Sequence, residues 1–237
     1  MAMEAEVAFG RNNKAKAAEE GPVEPVSWEN VFKFVVGSVE RPKSTKRPRS
    51  VWGKPAVRVP KGNKDNPVLA PCAFLGSSSV EGLPSRPELT LYEDAEARRL
   101  LCYVEEPQEV DGERHHVVRD AQGQIIGTLR RVPPKRPFKH TWRIDQPGQP
   151  EIVGRNEWAS GSAGQVAARV AIRATFEAVD GLFFAGTDDK AGSKARPLEW
   201  RAGDKVVMTS EGSAQVQIQA NWLDRRLAFA FALVGDK

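Results

Sequence analysis

The run Leu227-Ala228-Phe229-Ala230-Phe231-Ala232-Leu233-Val234 contains no polar side chain, and it leaves a chain few ways to fold. Asn221 or Asp224 can cap it as a helix, and Gly235 ends it. A helix that is apolar on every side has to be enclosed by protein or lipid. At a rise of 1.5 Å per residue it is only ~12 Å long, and a membrane span needs ~20 apolar residues. Protein must therefore surround it. Alternating Phe and Ala supplies bulk separated by slim gaps, which suits close wrapping by a curved β-sheet.

The preceding sequence supplies strands for such a wrapping. Glu88-Leu89-Thr90-Leu91-Tyr92 alternates, and Arg99 to Val104 reads as a second strand. Asp111-Gly112 is a turn. His116 to Arg119 and Gln124 to Leu129 flank Asp120-Ala121-Gln122-Gly123, whose glycine suits the left-handed corner of a tight hairpin. The figure repeats: Thr141 to Ile144, then Asp145-Gln146-Pro147-Gly148, then Glu151 to Val153. Pro followed by Gly predicts a type II turn there. Residues 198–200, 205–208 and 215–218 read as three further short strands. Gln165 to Val179 carries both helical and alternating periodicity, and either element fits it. Residues 187–197 read as a loop.

Upstream the texture differs. Residues 1–67 read as a largely disordered, basic, Pro-rich arm, 68–85 as a linker and 86–237 as the folded domain. Between Arg41 and Lys64 lie Arg41, Lys43, Lys46, Arg47, Arg49, Lys54, Arg58, Lys61 and Lys64, with no acidic residue among them. Prolines 42, 48, 55, 60 and 67 punctuate the run and argue against helix. Such a polycation suits phosphates, either of an anionic phospholipid surface or of nucleic acid. A solubilising linker is the bland alternative. Trp52 within it can stack on bases or sit at a bilayer interface. The candidate arm contacts are Arg41, Lys43, Lys46, Arg47, Arg49 and Trp52. An aromatic segment at 27–36, with Trp28, Phe32 and Phe34, is expected to dock onto its own domain or onto a protein partner.

A β meander with repeated D-x-x-G hairpins that finishes in a wholly apolar helix resembles the tubby-like superfamily. That group includes the tubby C-terminal domain, the LURP-one-related proteins and the phospholipid scramblases. The residues that carry the likeness are His116 to Gly127, the hairpin around Asp145 and Gly148, and Trp222 to Ala230. The resemblance implies a mainly β (α+β) fold: a closed antiparallel β-barrel of tubby-like type around a buried hydrophobic C-terminal helix. It implies binding of an anionic ligand such as a phospholipid head group. No acidic calcium-ligand run precedes the helix, which argues against scramblase chemistry.

A catalytic constellation is hard to assemble from these residues. His115 and His116 are adjacent and face opposite ways on a strand, and the three histidines read as solvent or edge residues. Ser162 half matches a nucleophile elbow, and Asp188-Asp189 lacks the ladder of a calcium loop. Cys72 and Cys102 read as reduced thiols without metal spacing. No cofactor is expected. The candidate anion site is Arg130, Arg131, Lys135, Arg136, Lys139 and Arg143, a cationic link between the two hairpins that also holds His140. The reading is a non-enzymatic binding domain, cytoplasmic or peripheral at the membrane, with no transmembrane segment. A nucleic-acid-associated protein and a protein–protein adaptor through Trp28, Phe32 and Phe34 are the alternatives.

Overall fold

The computed structural model describes residues 21–76, 87–134, 141–156, 197–213 and 215–235. Its strands are β1 (Lys33–Arg41), β2 (Val51–Asn63), β3 (Asn66–Leu75), β4 (Pro87–Tyr92), β5 (Leu100–Glu105), β6 (Gln108–Val110), β7 (Glu113–Asp120), β8 (Ile125–Val132), β9 (Thr141–Asp145), β10 (Ile152–Asn156), β11 (Pro197–Ala202), β12 (Lys205–Glu211) and β13 (Gln215–Ile218). One helix, α1 (Arg225–Val234), follows them. The segment 165–179, Ser162, Asp188-Asp189 and nearly all of the expected loop at 187–197 lie outside the described residues.

Apart from β5 and β6, each strand pairs antiparallel with its neighbours in chain order, β5 pairs with β7, and β13 returns to pair with β1. Twelve strands thus close into a barrel, with β6 a short addition along β7. Closure removes the free edges that an open sheet of this size would expose.

Side chains alternate along each strand, and one set points inward. Phe34, Val57, Leu129, Trp142, Ile144, Ile152, Trp200, Met208 and Val216 meet Leu227 to Leu233 of α1 in one buried cluster. Phe34 meets Phe229 edge-on at 4.8 Å between ring centroids. Phe231 meets both Trp142 at 5.7 Å and Trp200 at 4.5 Å. The apolar run is sheathed by strands, as its composition requires.

The helix is held at its entry. The Asp224 side chain accepts from the Arg226 amide at 2.9 Å as the N-cap. Gln146, in the β9–β10 turn, donates to the Trp222 carbonyl and accepts from the Asp224 amide, both at 3.0 Å. Gly127 leaves room for this packing. A Cβ there would stand 2.4 Å from the Asp145 carbonyl oxygen and 3.0 Å from the Leu227 methyls.

Both expected D-x-x-G hairpins form. Gly123 and Gly148 adopt φ of 78° and 74°, and the Asp120 carboxylate accepts from the Gln122 and Gln124 amides.

The expected arm is a different matter. Within residues 1–67, read as largely disordered apart from the aromatic segment at 27–36, 33–41 are β1 and 51–63 are β2, and 68–75, read as linker, belong to β3. The barrel begins at Lys33, not at residue 86. Pro60 pairs with Leu69 within the regular β2–β3 ladder, and the other prolines of the run sit at or near breaks in pairing. Pro42 and Pro48 lie in the β1–β2 connection, and Pro67 is the second residue of β3. Pro55 falls where the register jumps between the pairs Gly37–Ala56 and Val39–Trp52. Proline here marks a loop and one register jump, and Pro60 is accommodated in a regular ladder.

Candidate anion-binding surface

The structure divides the cations expected between the hairpins. Arg130 and Arg131 are adjacent on β8, so they face opposite sides of the barrel wall. Arg130 points outward and binds Asp145 at 2.5 Å, Glu113 at 2.8 Å and also Glu151. Arg143, its cross-strand partner, reaches Glu151 at 3.0 Å. Hydrogen bonding to Asp145, and then to Glu113, raises the Arg130 pKa above its ordinary value. Its charge is already committed. Arg131 pairs in register with Trp142 and shares its inward side, the guanidinium 5.8 Å from the indole centroid. Lys135, Arg136, Lys139 and His140 lie outside the described residues. The three described members of the expected site therefore do not gather as one outward cationic patch: Arg130 and Arg143 are neutralised by carboxylates, and Arg131 faces away from them.

His116 also departs from expectation. It is buried, not at a solvent edge, and its Nδ1 lies 3.1 Å from Glu88 Oε2. Burial lowers its pKa, against the opposing pull of Glu88. Among the described residues, no group of three acidic, His or Cys side chains could hold a metal ion. Cys72 and Cys102 are buried free thiols whose pKa values desolvation pushes up to about 12.

The residues of the expected arm form a built surface. At the β2–β3 tip, Asn63 Oδ1 accepts from the amides of Asp65 at 3.1 Å and Asn66 at 3.0 Å. Gly62, at φ 82°, leaves space for the Asn66 carbonyl oxygen, which a Cβ would meet at 2.2 Å. The β1–β2 loop docks on this tip. Ser44 Oγ donates to the Asp65 carbonyl at 3.0 Å, and Thr45 Oγ1 to its carboxylate at 3.2 Å. Arg47 donates to Asn66 Oδ1 at 2.8 Å and to the Pro42 and Pro67 carbonyls. Arg47 is thus a clamp within the surface, and Arg41 is tied to the Gly21 carbonyl at 2.8 Å.

Arg58, from the same basic run, is fully buried. It donates to the carbonyls of Gly37, Leu69 and Lys54 and lies 3.4 Å from Glu40. It closes the irregular β1–β2 register from outside the barrel.

Around two loops tied to each other, Lys43, Lys46, Arg49, Lys61 and Lys64 remain exposed, while Lys54, also exposed, donates to the Ala95 carbonyl. No carboxylate of a described residue comes within ion-pair distance of any of the five, whereas Arg98, Arg99, Arg114, Arg119, Arg130, Arg201 and Arg226 all have one. Trp52 and Val51, 57% and 43% exposed, stand at the start of β2 beside this cluster.

The aromatic segment docks at the barrel end where α1 begins. Phe34 is wholly interior. Trp28 donates to Glu93 at 3.2 Å and lies under Arg226, and Phe32 lies under Arg225. The three aromatics do not form one exposed handle.

No helix among the described residues is long and apolar enough to cross a membrane. Comparison with protein families, characterised proteins and solved structures returns no match.

Proposed function

We propose that this chain is a tubby-like binding module, not an enzyme, that recognises a phosphate-bearing anionic ligand, with a phospholipid head group as the first choice. The observation that carries this reading is the cluster Lys43, Lys46, Arg49, Lys61 and Lys64: exposed, without an ion pair to any described residue and held at two hairpin ends that brace each other. A site whose cations are not consumed internally keeps its field for a partner. A closed barrel around an apolar helix is also the architecture that the tubby-like resemblance implies. On this reading the protein works at the cytoplasmic side of a membrane as a peripheral component.

Near an anionic bilayer each Lys or Arg contributes about 1 kcal/mol, reduced by salt. Reversing Lys43, Lys46 and Arg49 to Glu should therefore weaken co-sedimentation with anionic vesicles by roughly a hundredfold or more. Neutral vesicles should bind neither form. Unchanged sedimentation of the triple variant would sink the reading. Nucleic acid is the second ligand class, favoured by the exposed Trp52 among cations, and salt-sensitive retardation of single-stranded DNA without vesicle binding would select it.

A further inference from the structure

We infer that Val51 and Trp52 form an apolar anchor that enters the interface of an anionic phospholipid bilayer, so that the partner of the basic surface is a membrane. The inference rests on the proposed function and names its partner.

Consecutive residues of a strand point to opposite sides. Val51 stands opposite Arg41, and Trp52 opposite Val39, at the end of the β1–β2 hairpin. Trp52 is nevertheless 57% exposed and Val51 43% exposed. Apolar surface therefore faces water on both sides of this hairpin end, which a strand packed on one face does not show. Inside the barrel the aromatic residues Phe34, Trp142 and Trp200 are enclosed almost completely.

The surroundings match a bilayer interface in charge. Arg49 is two residues from Val51, and the Lys43 amide is bound to Ser50 Oγ at 3.2 Å, which brings both residues close to the apolar pair along the backbone. Lysine and arginine at head-group level with a tryptophan just below them is the arrangement of membrane-interface belts. The surface consists of two exposed hairpin ends that are hydrogen-bonded to each other. A stacked base would use Trp52 alone and gain nothing from Val51. Hydrocarbon uses both.

The test uses the full chain with vesicles of phosphatidylcholine alone, of phosphatidylcholine with phosphatidylserine, and of the latter carrying brominated acyl chains. Burying about 60 Å² of apolar surface corresponds to about a tenfold change in partition. Trp52→Ala and Val51→Ser should each lower partition onto the mixed vesicles, Trp52→Ala by about tenfold or more, with unchanged thermal melting. Brominated lipid should quench wild-type fluorescence, and Trp52→Phe should lose most of that quenching. Both variants binding like wild type with undiminished quenching would overturn the anchor and leave the electrostatic reading standing. A wild-type chain that ignores vesicles yet retards single-stranded DNA through Trp52 would overturn the membrane assignment. Loss of vesicle binding only on charge reversal, with Trp52→Ala silent, would also overturn the anchor.

Discussion

The ring of Phe231 meets the ring of Trp200 at 4.5 Å between centroids, with the planes 73° apart. The indole can lie this close to the barrel wall because its register partner is Gly154, where a Cβ would stand 3.1 Å from the ring. Trp142 flanks Phe231 at 5.7 Å. One helix residue is thus gripped by two strands through a residue with no side chain between them.

Phe231→Ala should cost about 3–5 kcal/mol, because a buried aromatic is lost and its cavity can collapse only partly. Gly154→Ala should cost about 1–3 kcal/mol by overpacking the wall against Trp200. Contact couples the two sites, so the double variant should be less destabilised than the sum of the two losses. Urea unfolding of the four proteins reads this out. Additive losses would mean that Gly154 does not serve the Phe231 contact.

Gln146 links the β9–β10 turn to the entry of α1 with two hydrogen bonds, to the Trp222 carbonyl and from the Asp224 amide. Gln146→Ala leaves both backbone groups without that partner and should cost about 1–3 kcal/mol. Gln146→Glu keeps the acceptor but loses the donor, and should fall between alanine and wild type. Amide exchange at residues 224–227 should quicken in both variants. No change in exchange there would remove the turn from the account of how the helix is held.

The sequence was most legible where covalent chemistry restricts the backbone. Gly123 and Gly148 take positive φ, and the hairpins they close are the ones their D-x-x-G spacing implied. The apolar run from Leu227 was equally plain, since every face of that helix needs a neighbour. Residues 33–63 are harder to place because proline and lysine content mimics a disordered chain, although Pro55 marks a register jump. The docking of Ser44, Thr45 and Arg47 on residues 65–67 joins positions about twenty apart, and no local pattern records it. The division of Arg130 from Arg131 follows from strand alternation alone. The apolar stretch of that strand stops at Leu129, whereas β8 continues through the two arginines to Val132.

Arg58 belongs to the basic run by sequence, yet it is fully buried against the outer side of the barrel wall. Arg58→Met would strip the Gly37, Leu69 and Lys54 carbonyls of a donor and leave Glu40 without its countercharge. Removing one partner of a buried ion pair typically costs about 3–5 kcal/mol. Arg58→Lys, a single ammonium in place of a planar fork, should lose less but still well over 1 kcal/mol. Chemical denaturation decides it. A loss below about 0.5 kcal/mol for Arg58→Met would place this side chain with the solvated cations around it.

His116 gives the fold a pH dependence with a defined sign. Its imidazole faces Glu88, Arg114, Arg131 and the Trp142 ring, and burial, the largest effect, holds its folded pKa below the ordinary 6.5. The unfolded chain therefore takes up a proton first as pH falls. Stability rises with pH wherever the unfolded state binds more protons. The contribution is complete above pH 6.5, declines as pH falls through that value, and levels off below the folded pKa. Urea midpoints measured from pH 7.5 down to pH 5 should fall for wild type, with part of that slope absent in His116→Gln. Glu88→Gln removes the carboxylate that opposes the shift, so it should lower the folded pKa further and steepen the decline. A His116→Gln variant with the wild-type slope would assign the dependence to other groups.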